Sequence, residues 1–480
     1  MRNTKIVATI GPASNSKEVL GELLDSGMDV ARQNLSHGDH EQHGDMIDRI
    51  REVSEEHEKD IGVMLDTQGP EIRLREVEEG TELEEGETVE IVTSDIEGDS
   101  KKLPVDYKDF NDNVSEGDEV LIDDGDIELV VEEVSDSVVC KVAYGGTVTS
   151  KKSVNVPGKD LGLHAPTEKD VKDIKFAVEK DFDFVALSFA KEADDIKEAR
   201  EILKSEGGPD IDIIAKIEHL KAIENFDEIL EVSDGIMVAR GDLGVEMDAA
   251  EVPNIQKRLI KKCNREGKPV ITATQMLKSM TDSPRATRAE VSDIANAVLD
   301  GTDAVMLSEE TAIGQFPGRS LQVMAETVAK TEESIVDEIH HTVHSESANI
   351  ADIICKNVWQ ASQYDDVDVV VAHTSSGYTA RNIAKYRPKK RLIAFTDSRK
   401  VKRKLNIVWG VEAILTEFPE YVDEMICNSA KALFERGIVG KEDMLVLSAG
   451  VPTSVSGTTN MMEIRSVESL LEEHKEMNSS

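Results

Sequence analysis

The feature of this sequence that most limits its possible folds is a series of eight short apolar runs, each followed by polar residues and then by a segment with helical periodicity. Continuous apolar runs that alternate with helices are typical of parallel strands buried on both faces of a sheet. Eight such units favour a closed, eight-stranded parallel (β/α) barrel with outer helices over an open sheet. The runs are Thr4–Ile10, Met28–Asn34, Ile61–Thr67, Asp183–Phe189, Asp210–Ile217, Gly235–Ala239, Pro269–Thr274 and Asp303–Leu307.

This pattern is interrupted once, because more than 110 residues separate the third run from the fourth. Residues 76–136 within this gap carry 24 acidic side chains and only three basic ones. The stretches Glu87–Val92, Glu119–Ile122 and Glu128–Val134 alternate between polar and apolar residues, as strands with one buried face do. We therefore predict a small antiparallel, β-barrel-like domain inserted in a loop of the larger barrel.

A second alternation of strands and helices follows the barrel. It comes after a long helical stretch, Gly318–Val343, and includes the helices Tyr378–Tyr386 and Pro419–Arg436. The strands around them predict a separate, open α/β domain at the C-terminal end. These strands are Val367–His373, Arg391–Thr396, Val411–Leu415 and Met444–Ser448.

The barrel helix that the insertion postpones is predicted over Thr167–Lys180, where Thr167 and Asp170 have the spacing of a capping box. Together the patterns divide the chain into a first barrel segment, an inserted lid, a second barrel segment and a C-terminal domain. Their predicted limits are 1–69, 70–164, 165–335 and 345–480.

The chain has a formal net charge of −41 at pH 7, from 55 Lys and Arg and 96 Asp and Glu residues. This charge repels nucleic-acid phosphates and anionic membranes, so neither is expected as a partner. No apolar stretch approaches the roughly 18 residues of a spanning helix, and the four cysteines lack metal-ligand or redox spacing. We expect a cytoplasmic protein. The evenly spread acidity favours a halophilic host, the alternative being simply a very acidic protein.

Polar or glycine-rich residues follow every one of the eight runs. In barrels of this type, the strand ends and the loops after them carry the reacting groups. Because the strand ends converge on one rim, we expect a single site there. They are Gly11-Pro12, Arg32/Asn34/Ser36, Asp66/Thr67, Ser188, Lys216/Glu218, Arg240-Gly241-Asp242, Thr274 and Ser308/Glu310.

Arg32, Asn34 and Ser36 are spaced by two, which places them on one face of an extended chain. A guanidinium, an amide and a hydroxyl suit a phosphate together with a cation held by neutral oxygens. A polar strand end that merely caps the next helix is the alternative. Gly241 lets the backbone approach an anion closely, and Thr274 offers a hydroxyl at the same rim.

Lys216 and Glu218 are also spaced by two, inside an otherwise apolar run. Lysine and glutamate are rarely buried unless they are paired. Glu218 and Asp242 would supply two carboxylates that leave open positions for a substrate phosphate, as magnesium sites usually do. A structural ion pair is the alternative. A Schiff-base aldolase or lyase built on Lys216 is a rival function, but the two carboxylates would keep its ammonium charged.

A loop in the C-terminal domain, Thr374–Thr379, follows a predicted strand and opens a helix. Its main-chain N–H groups and hydroxyls could hold an anion, the alternative being a capped helix without a ligand. Residues 449–460 form a second loop that could close over the same place. A catalytically silent sensor that uses these loops is a second rival function. The candidate effector site consists of Thr374, Ser375, Ser376, Gly377 and Thr379.

Seven segments spread along the barrel carry distinctive motifs: Thr4–Ser14, Arg32–Gly38, Leu65–Arg73, Ala215–Glu218, Met237–Gly244, Ala273–Leu277 and Met306–Ala312. In this order, and with the insertion and the C-terminal domain, the chain resembles the pyruvate kinase family over almost its whole length. The resemblance implies a glycolytic phosphotransferase that moves the phosphoryl group of phosphoenolpyruvate to ADP. The products would be ATP and pyruvate, formed through a metal-stabilised enolate that is then protonated.

The resemblance also implies which residues act on the substrate. Lys216 would stabilise the phosphoryl group in flight and the enolate, while Arg32 and Arg73 would hold the transferring phosphate. The substrate carboxylate would be held by Gly241, Asp242 and Thr274. The region that protonates enolpyruvate would include Thr274, Ser308 and Glu310.

Cations and nucleotide are assigned by the resemblance in the same way. The ligands of magnesium, or manganese, would be Glu218 and Asp242. Those of potassium would be Asn34, Ser36, Asp66 and Thr67. The nucleotide would face Asn34, His37, Arg73 and Lys152. The resemblance further implies a phosphorylated effector at the C-terminal domain and a homotetramer.

Glu71 matches a position at which family members with glutamate usually need a monovalent cation, so we expect activation by potassium. The chain departs from the family pattern at four other positions. Gln68 stands where many members have lysine and Glu309 where many have glycine, while His219 and Lys221 replace an asparagine and an acid. None of these departures removes a proposed ligand.

Overall fold

The computed structural model describes residues 2–335, 349–451 and 458–477. Its barrel begins with three strands and two helices, and the strands are buried almost throughout. Burial on both faces is what the continuous apolar runs predict for parallel strands. The elements are β1 (Lys5–Thr9), α1 (Lys17–Asp25), β2 (Val30–Asn34), α2 (His40–Glu56) and β3 (Gly62–Asp66).

The chain then leaves the barrel for the inserted domain. Its elements are β4 (Glu82–Leu83), β5 (Thr88–Val92), β6 (Lys102–Pro104), α3 (Phe110–Asn113), β7 (Glu119–Ile122), β8 (Ile127–Val134), β9 (Val138–Tyr144), β10 (Gly146–Thr147) and β11 (Val154–Asn155). Six strands form one sheet in the order β11-β7-β8-β9-β5-β6, and β4 pairs with β10. The prediction of a purely antiparallel domain is wrong at one edge, where β5 and β6 run parallel. The segment between them crosses over instead of making a hairpin.

After the insertion the chain returns to the barrel through α4 (Glu168–Glu179), which has the predicted capping box of Thr167 and Asp170. The following elements are β12 (Phe184–Leu187), α5 (Ala193–Ser205), β13 (Asp212–Ile217), α6 (Leu220–Glu224), α7 (Phe226–Val232), β14 (Gly235–Ala239), α8 (Arg240–Glu246), α9 (Val252–Glu266), β15 (Val270–Ala273), α10 (Arg288–Asp300), β16 (Ala304–Leu307), α11 (Glu309–Ala312) and α12 (Pro317–Ile335). The strands close in the order β1-β16-β15-β14-β13-β12-β3-β2. The predicted eight-stranded parallel barrel is confirmed.

The C-terminal domain completes the described chain. Its elements are α13 (Ile350–Ala361), β17 (Val369–His373), α14 (Tyr378–Ala384), β18 (Arg391–Thr396), α15 (Arg399–Lys404), β19 (Val411–Leu415), α16 (Val422–Glu435), β20 (Met444–Ala449), β21 (Met461–Ser466) and α17 (Val467–Met477). The sheet order is β19-β18-β17-β20-β21, with the first four strands parallel, which confirms an open α/β domain. The sequence pattern misses β21, an antiparallel edge strand, because its residues are mostly half-buried and do not alternate.

Side chains from the C-terminal domain close one end of the barrel. Val7, Met64 and Phe184 of the strands belong to the same buried cluster as Leu405 and Ile407, which follow α15. The alternate strand positions pack instead against the outer helices. The C-terminal domain therefore covers the end of the barrel at which the strands begin. The opposite end, at which the strands finish, stays open for the site.

Parts of three predicted segments lie outside the described residues. The helix predicted over Gly318–Val343 is present as α12 up to Ile335, and its remainder falls on residues that the structure does not describe. The same holds for residues 452–457 of the second C-terminal loop and for both ends of the segment 345–480. The domain limits stay a prediction. Across the described ranges, no helix is long and apolar enough to cross a membrane.

Candidate active site

A cleft of about 1000 Å³ lies between the insertion and the rim on which the barrel strands end. Most predicted site residues line it: Arg32, Asn34, Ser36, His37, Thr67, Arg73, Lys152, Lys216, Glu218, Asp242, Thr274 and Ser308. Asp66, Gly241 and Glu310 do not line the cleft, but each contacts a residue that does. The fold thus brings together side chains that are up to 278 positions apart in the sequence.

Lys216 lies at the centre of this arrangement, on β13. Its Nζ donates to Ser188 Oγ at 2.7 Å and forms ion pairs with Glu218 at 2.7 Å and Asp66 at 3.1 Å. Burial alone would lower the pKa of the lysine, but Asp66, Glu218 and Asp242 together raise it above its usual value. The side chain is therefore a fixed ammonium.

Arg32 forms the second buried cation, at the end of β2. Its Nε donates to Asp66 Oδ2 at 2.6 Å and its Nη1 donates to Thr9 Oγ1 at 2.8 Å. Burial tends to raise the pKa of Asp66, but Arg32 and Lys216 outweigh this and lower it. One carboxylate thus holds both cations in place.

The four residues assigned to potassium lie at the last residues of β2 and β3 or just after them. Asn34 lies directly opposite Asp66 in the strand register. Asn34 Oδ1 accepts from the Ser36 N–H at 3.1 Å, and Thr67 Oγ1 accepts from the Ser188 N–H at 3.0 Å. Amide, hydroxyl and carboxylate oxygens are the donors that a hard monovalent cation takes, so the residues present fit this ion.

Glu218 and Asp242 form a pair of carboxylates at neighbouring strand ends, with Glu218 buried and Asp242 half-buried. Burial raises the pKa of both, and for Asp242, to which Glu218 adds repulsion, the value is about 7. Glu218 also accepts from the Phe189 N–H at 2.7 Å, and Phe189 has a positive φ of 54°. A divalent cation would relieve the repulsion between these hard-oxygen donors, so the pair fits magnesium or manganese. The described residues contain no cluster of three or more His, Cys, Asp or Glu with metal-binding geometry.

Thr274 and Gly241, both assigned to the substrate carboxylate, contact each other. Thr274 Oγ1 accepts from the Gly241 N–H at 2.8 Å and donates to the Ala273 carbonyl. Thr274 has a φ of 66°, a left-handed conformation that costs energy for a residue with a branched Cβ. Such strain at a strand end is common where a side chain must face a ligand.

Ser308 and Glu310 have different surroundings, although both were expected in the protonation region. The Ser308 hydroxyl is buried without a hydrogen-bond partner among the described residues and lines the cleft. The Glu310 carboxylate accepts from the N–H groups of Ser308 at 2.7 Å and Leu277 at 2.9 Å. Its geometry therefore favours holding the loop over acting on a substrate.

The residues that the insertion contributes already have partners. Arg73 donates to Glu71 Oε2 through Nε at 2.9 Å and through Nη2 at 2.5 Å. Lys152 pairs with Asp123 at 2.6 Å. Together with the exposed His37 on the barrel side, they bring positive or polar groups to the outer part of the cleft.

Ser188 is among the residues that were expected on the rim but not given a role in the site. Ser188, at the end of β12, accepts from Lys216 and donates to the Thr67 carbonyl at 2.7 Å. A serine directly after an apolar strand was the available signal. Its contact with Lys216 required the tertiary structure.

The C-terminal segment Thr374–Thr379 follows β17 and runs into the first residues of α14, as predicted. With Phe418 and Met425 it borders a cavity of about 20 Å³, which has room for one water. Thr379 Oγ1 is 2.8 Å from Thr459 Oγ1 of the second loop. Any larger ligand would therefore need these loops to separate.

A cleft at the strand ends of a closed parallel barrel is typical of barrel enzymes. The ammonium, guanidinium and carboxylate groups in this cleft are those that an enzyme of phosphoryl transfer needs. Family models described as "Pyruvate kinase, barrel domain" and "Pyruvate kinase, alpha/beta domain" match residues 1–321 and 352–465. A pyruvate kinase of Geobacillus stearothermophilus is 46% identical over 476 residues, covering 98% of this chain and 81% of the relative. One of Staphylococcus epidermidis is 45% identical over 474 residues, with 97% and 81% covered.

A solved structure agrees with these matches. The crystal structure of a pyruvate kinase from Cryptosporidium parvum has a TM-score of 0.90 to this chain at 38% identity, covering 97% of this chain and 96% of the other. The chain therefore belongs to the pyruvate kinase family. It is a phosphotransferase that moves the phosphoryl group of phosphoenolpyruvate to ADP, giving pyruvate and ATP.

Proposed function

We propose that Lys216 carries the chemistry of this reaction by holding a positive charge where negative charge develops. The observation that supports this is its position: a buried ammonium fixed by Ser188, Asp66 and Glu218 at the floor of the cleft. A preorganised cation stabilises the charge on a phosphoryl group in flight and on the enolate left behind. The raised pKa counts against the Schiff-base rival, which needs a neutral amine.

Arg32 and Arg73 would hold the transferring phosphate from opposite sides of the cleft. Arg32 is fixed on the barrel by Asp66 and Thr9, whereas Arg73 lies on the insertion and would exchange its contact with Glu71 for the phosphate. The carboxylate of phosphoenolpyruvate would bind the N–H groups of Gly241 and Asp242 with Thr274. His37, Asn34, Arg73 and Lys152 would face ADP.

Two kinds of cation would be held at this rim. Glu218 and Asp242 would bind magnesium or manganese, which when bound neutralises charge on phosphoryl oxygens. Asn34, Ser36, Asp66 and Thr67 would bind potassium. Ser308, whose hydroxyl has no hydrogen-bond partner among the described residues and which lines the same cleft as Thr274, would take part in protonating the enolate, and Glu310 would orient it.

Replacing Lys216 by methionine tests the central assignment. We expect Lys216→Met to lose turnover by at least about 10³-fold, because the charge acts mainly in the transition state. Lys197→Met is the matched control, since Lys197 is an exposed lysine paired with Asp194 on α5. A coupled assay with phosphoenolpyruvate, ADP and magnesium measures turnover, and circular dichroism measures folding. Near-normal turnover by folded Lys216→Met would refute the assignment.

Potassium dependence has its own test. Glu71 accepts from Arg73 and supplies no positive charge that could replace an ion. We expect potassium to activate the enzyme in a buffer whose only other cations are magnesium and a bulky organic ammonium. Full activity without potassium counts against the ion site at Asn34, Ser36, Asp66 and Thr67.

We also propose that the loop of Thr374, Ser375, Ser376, Gly377 and Thr379 binds a phosphorylated effector. Hydroxyls and a left-handed Gly377 (φ 83°) converge there, beside the small cavity. Titration of sugar phosphates and AMP against wild type and Thr374→Glu tests this proposal. If none binds or shifts the KM for phosphoenolpyruvate, the loop only caps α14.

The assembly and the location of the enzyme remain parts of this proposal. We propose a homotetramer, measured by light scattering coupled to size exclusion. Four free and buried cysteines are consistent with a reducing cytoplasm. A halophilic host predicts that activity persists at molar potassium chloride.

A further inference from the structure

The insertion returns to the barrel through a short segment, Gly158–Gly162, that carries an acidic side chain between two glycines. Gly158 and Gly162 have positive φ values of 73° and 68°, and no neighbouring atom lies within 4 Å of where a Cβ would be. A domain joint of this kind absorbs backbone rotation when one domain moves against another. The segment therefore has the backbone of a hinge, with Asp160 at its centre.

Asp160 forms ion pairs with two lysines of the barrel. Its Oδ1 accepts from Lys191 Nζ at 2.8 Å, and its Oδ2 accepts from Lys221 Nζ at 3.2 Å. Lys191 is only 7% exposed and also donates to the Leu163 carbonyl at 3.3 Å, whereas Lys221 is half-exposed. Burial tends to raise the pKa of Asp160, but the two lysines hold it well below its usual value. The insertion is thus tied to the barrel by one permanently charged carboxylate.

The two lysines belong to the loops that hold the metal-facing carboxylate. Lys191 follows Phe189, whose N–H donates to Glu218 Oε2 at 2.7 Å. Lys221 lies three residues after Glu218, at the start of α6. One more contact joins the same segment to the barrel, because the ring of His219 reaches the Lys159 carbonyl at 3.3 Å. The insertion is therefore anchored on the same loops that position Glu218.

The Gly158 main chain also acts on Glu246 of α8: burial raises the pKa of this carboxyl to about 7, and the Gly158 main chain partly offsets that rise. Lys159 and Leu161 of the segment line the cleft itself. A change in how this segment lies on the barrel would therefore change the shape of the cleft and the distance of the insertion from it.

We propose that Asp160 is a positioning residue for phosphoryl transfer, whose two ion pairs keep the insertion docked so that Arg73 and Lys152 face the nucleotide. The proposal rests on the nucleotide-facing role proposed for those two side chains. An undocked insertion lacks these groups, so the apparent affinity for ADP falls in proportion to the docked fraction. Turnover of the saturated enzyme changes little, because bound nucleotide restores docking.

Asp160→Asn tests this, because it keeps the size of the side chain and removes its charge. If the docked fraction falls from near one to about a fifth, the KM for ADP rises about five-fold while kcat stays within about two-fold. Lys221→Gln should raise the KM for ADP less than Asp160→Asn does, because the ion pair of Asp160 with Lys191 remains. The variant that combines Asp160→Asn with Lys221→Gln should have the same KM as Asp160→Asn alone, because both changes remove the same contact. Glu90→Gln is the matched control, since its partner Lys102 lies within the insertion.

Docking is measured directly by spin labels on cysteines introduced at Asp95 in the insertion and Asp194 in the barrel, whose side chains are 91% and 83% exposed. The four native cysteines are all buried, so the introduced ones react first. We expect a narrow distance distribution in the wild type and in Glu90→Gln. Asp160→Asn should give a broader one, which narrows again on adding ADP.

Three results would overturn the proposal. Unchanged distances with an unchanged KM for ADP mean that Asp160 does not hold the insertion. Equal losses in kcat and kcat/KM with unchanged distances mean that it only supports the barrel. Broadened distances with an unchanged KM refute the nucleotide-facing role of Arg73 and Lys152, and the positioning role with it. If Asp160→Asn does not fold, Lys221→Gln and Asp160→Glu carry the same comparison, the latter expected to retain the wild-type distances.

Discussion

At the scale of single residues, the buried charges around Lys216 are held by partners of opposite sign and by main-chain donors. Asp66 holds Arg32 and Lys216, and Glu218 holds Lys216 and the Phe189 N–H. Removing one member leaves its neighbour buried and uncompensated, which costs several kcal/mol. Ser188 is a neutral residue in the same network. Replacing it should therefore affect folding less than replacing a buried charge does, so that its effect on catalysis can be measured more directly.

We expect Ser188→Ala to lower kcat roughly ten- to a hundred-fold and the free energy of unfolding by about 1.5–3 kcal/mol, less than the removal of a buried charge would. The Ser188 hydroxyl accepts from Lys216 at 2.7 Å, and a hydrogen bond to a charged group contributes about 1.5–3 kcal/mol. Steady-state kinetics with both substrates measures the loss. Ser233→Ala is the control, because Ser233 is a buried serine that donates to a helix carbonyl outside the cleft. A kcat within two-fold of wild type would remove Ser188 from the mechanism.

His373 gives a prediction on pH. Its ring is fully buried at the end of β17, and this burial lowers its pKa from 6.5 to about 4, which the Ser448 main chain only partly offsets. Between these values the unfolded chain binds a proton that the folded chain does not, so stability falls as pH falls, by roughly 3 kcal/mol over the whole range. Urea unfolding at pH 7 and pH 5 should show a smaller decrease for His373→Leu than for wild type. Equal decreases would contradict the burial of a neutral ring.

At the scale of elements, the first helix after the insertion fastens both ends of the inserted domain. Asp170 of α4 accepts from Thr167 in the capping box, and its Oδ1 accepts from the Gly69 N–H at 3.0 Å, where the chain leaves the barrel. Gly69 itself needs its left-handed φ of 75°, and a Cβ there would lie 2.7 Å from the Phe189 ring. One carboxylate thus joins the exit and the return of the chain.

We expect Thr167→Ala to cost about 1 kcal/mol of unfolding free energy, the usual value of an N-cap. Asp170→Asn should cost about 2 kcal/mol, because the buried carboxylate also satisfies the Gly69 N–H. Urea titration followed by circular dichroism measures both. Ser16→Ala, at the exposed N-cap of α1, is the control for loss of a cap alone. Equal costs for Thr167→Ala and Asp170→Asn would mean that the contact with Gly69 adds nothing.

At the scale of the whole molecule, a basic helix holds the C-terminal domain against the floor of the barrel. Five of the six residues of α15 are Lys or Arg. Their partners lie just before β3, β12 and β13 or at the first residue of β13, so these strands, which finish in the cleft, begin at this interface. The acidic partners are Asp60, Asp181, Asp183, Asp210 and Asp212.

Arg403→Met should destabilise this interface by about 3 kcal/mol. Arg403 pairs with the fully buried Asp183 at 2.7 Å, and loss of one partner leaves a buried charge less compensated. Arg399→Gln should cost under about 1 kcal/mol, because Arg399 is 57% exposed and its pair is screened. Thermal unfolding in low salt compares the two variants on the same helix. A similar loss in both would mean that burial does not distinguish these pairs.

The sequence indicates the barrel accurately because its signals are local. Every barrel strand lies within its predicted run, and the Thr167–Asp170 box needs only four consecutive residues. The strand β21 and the parallel pairing of β5 with β6 are missed, because edge position and pairing depend on distant segments. For the same reason the sequence does not reveal that the Glu310 carboxylate accepts from the N–H groups of Ser308 and Leu277.

The sequence by itself determined the barrel, the insertion, the C-terminal domain and the list of residues on the rim, because strand period and strand ends are properties of short segments. Only the tertiary structure decided that Lys216 is paired with both Asp66 and Glu218, that Ser188 contacts it, and that Asp160 joins the insertion to the barrel. These contacts span up to 150 positions of the chain. Charge balance at such a site depends on distance and burial, which exist only once the strands have closed into a barrel.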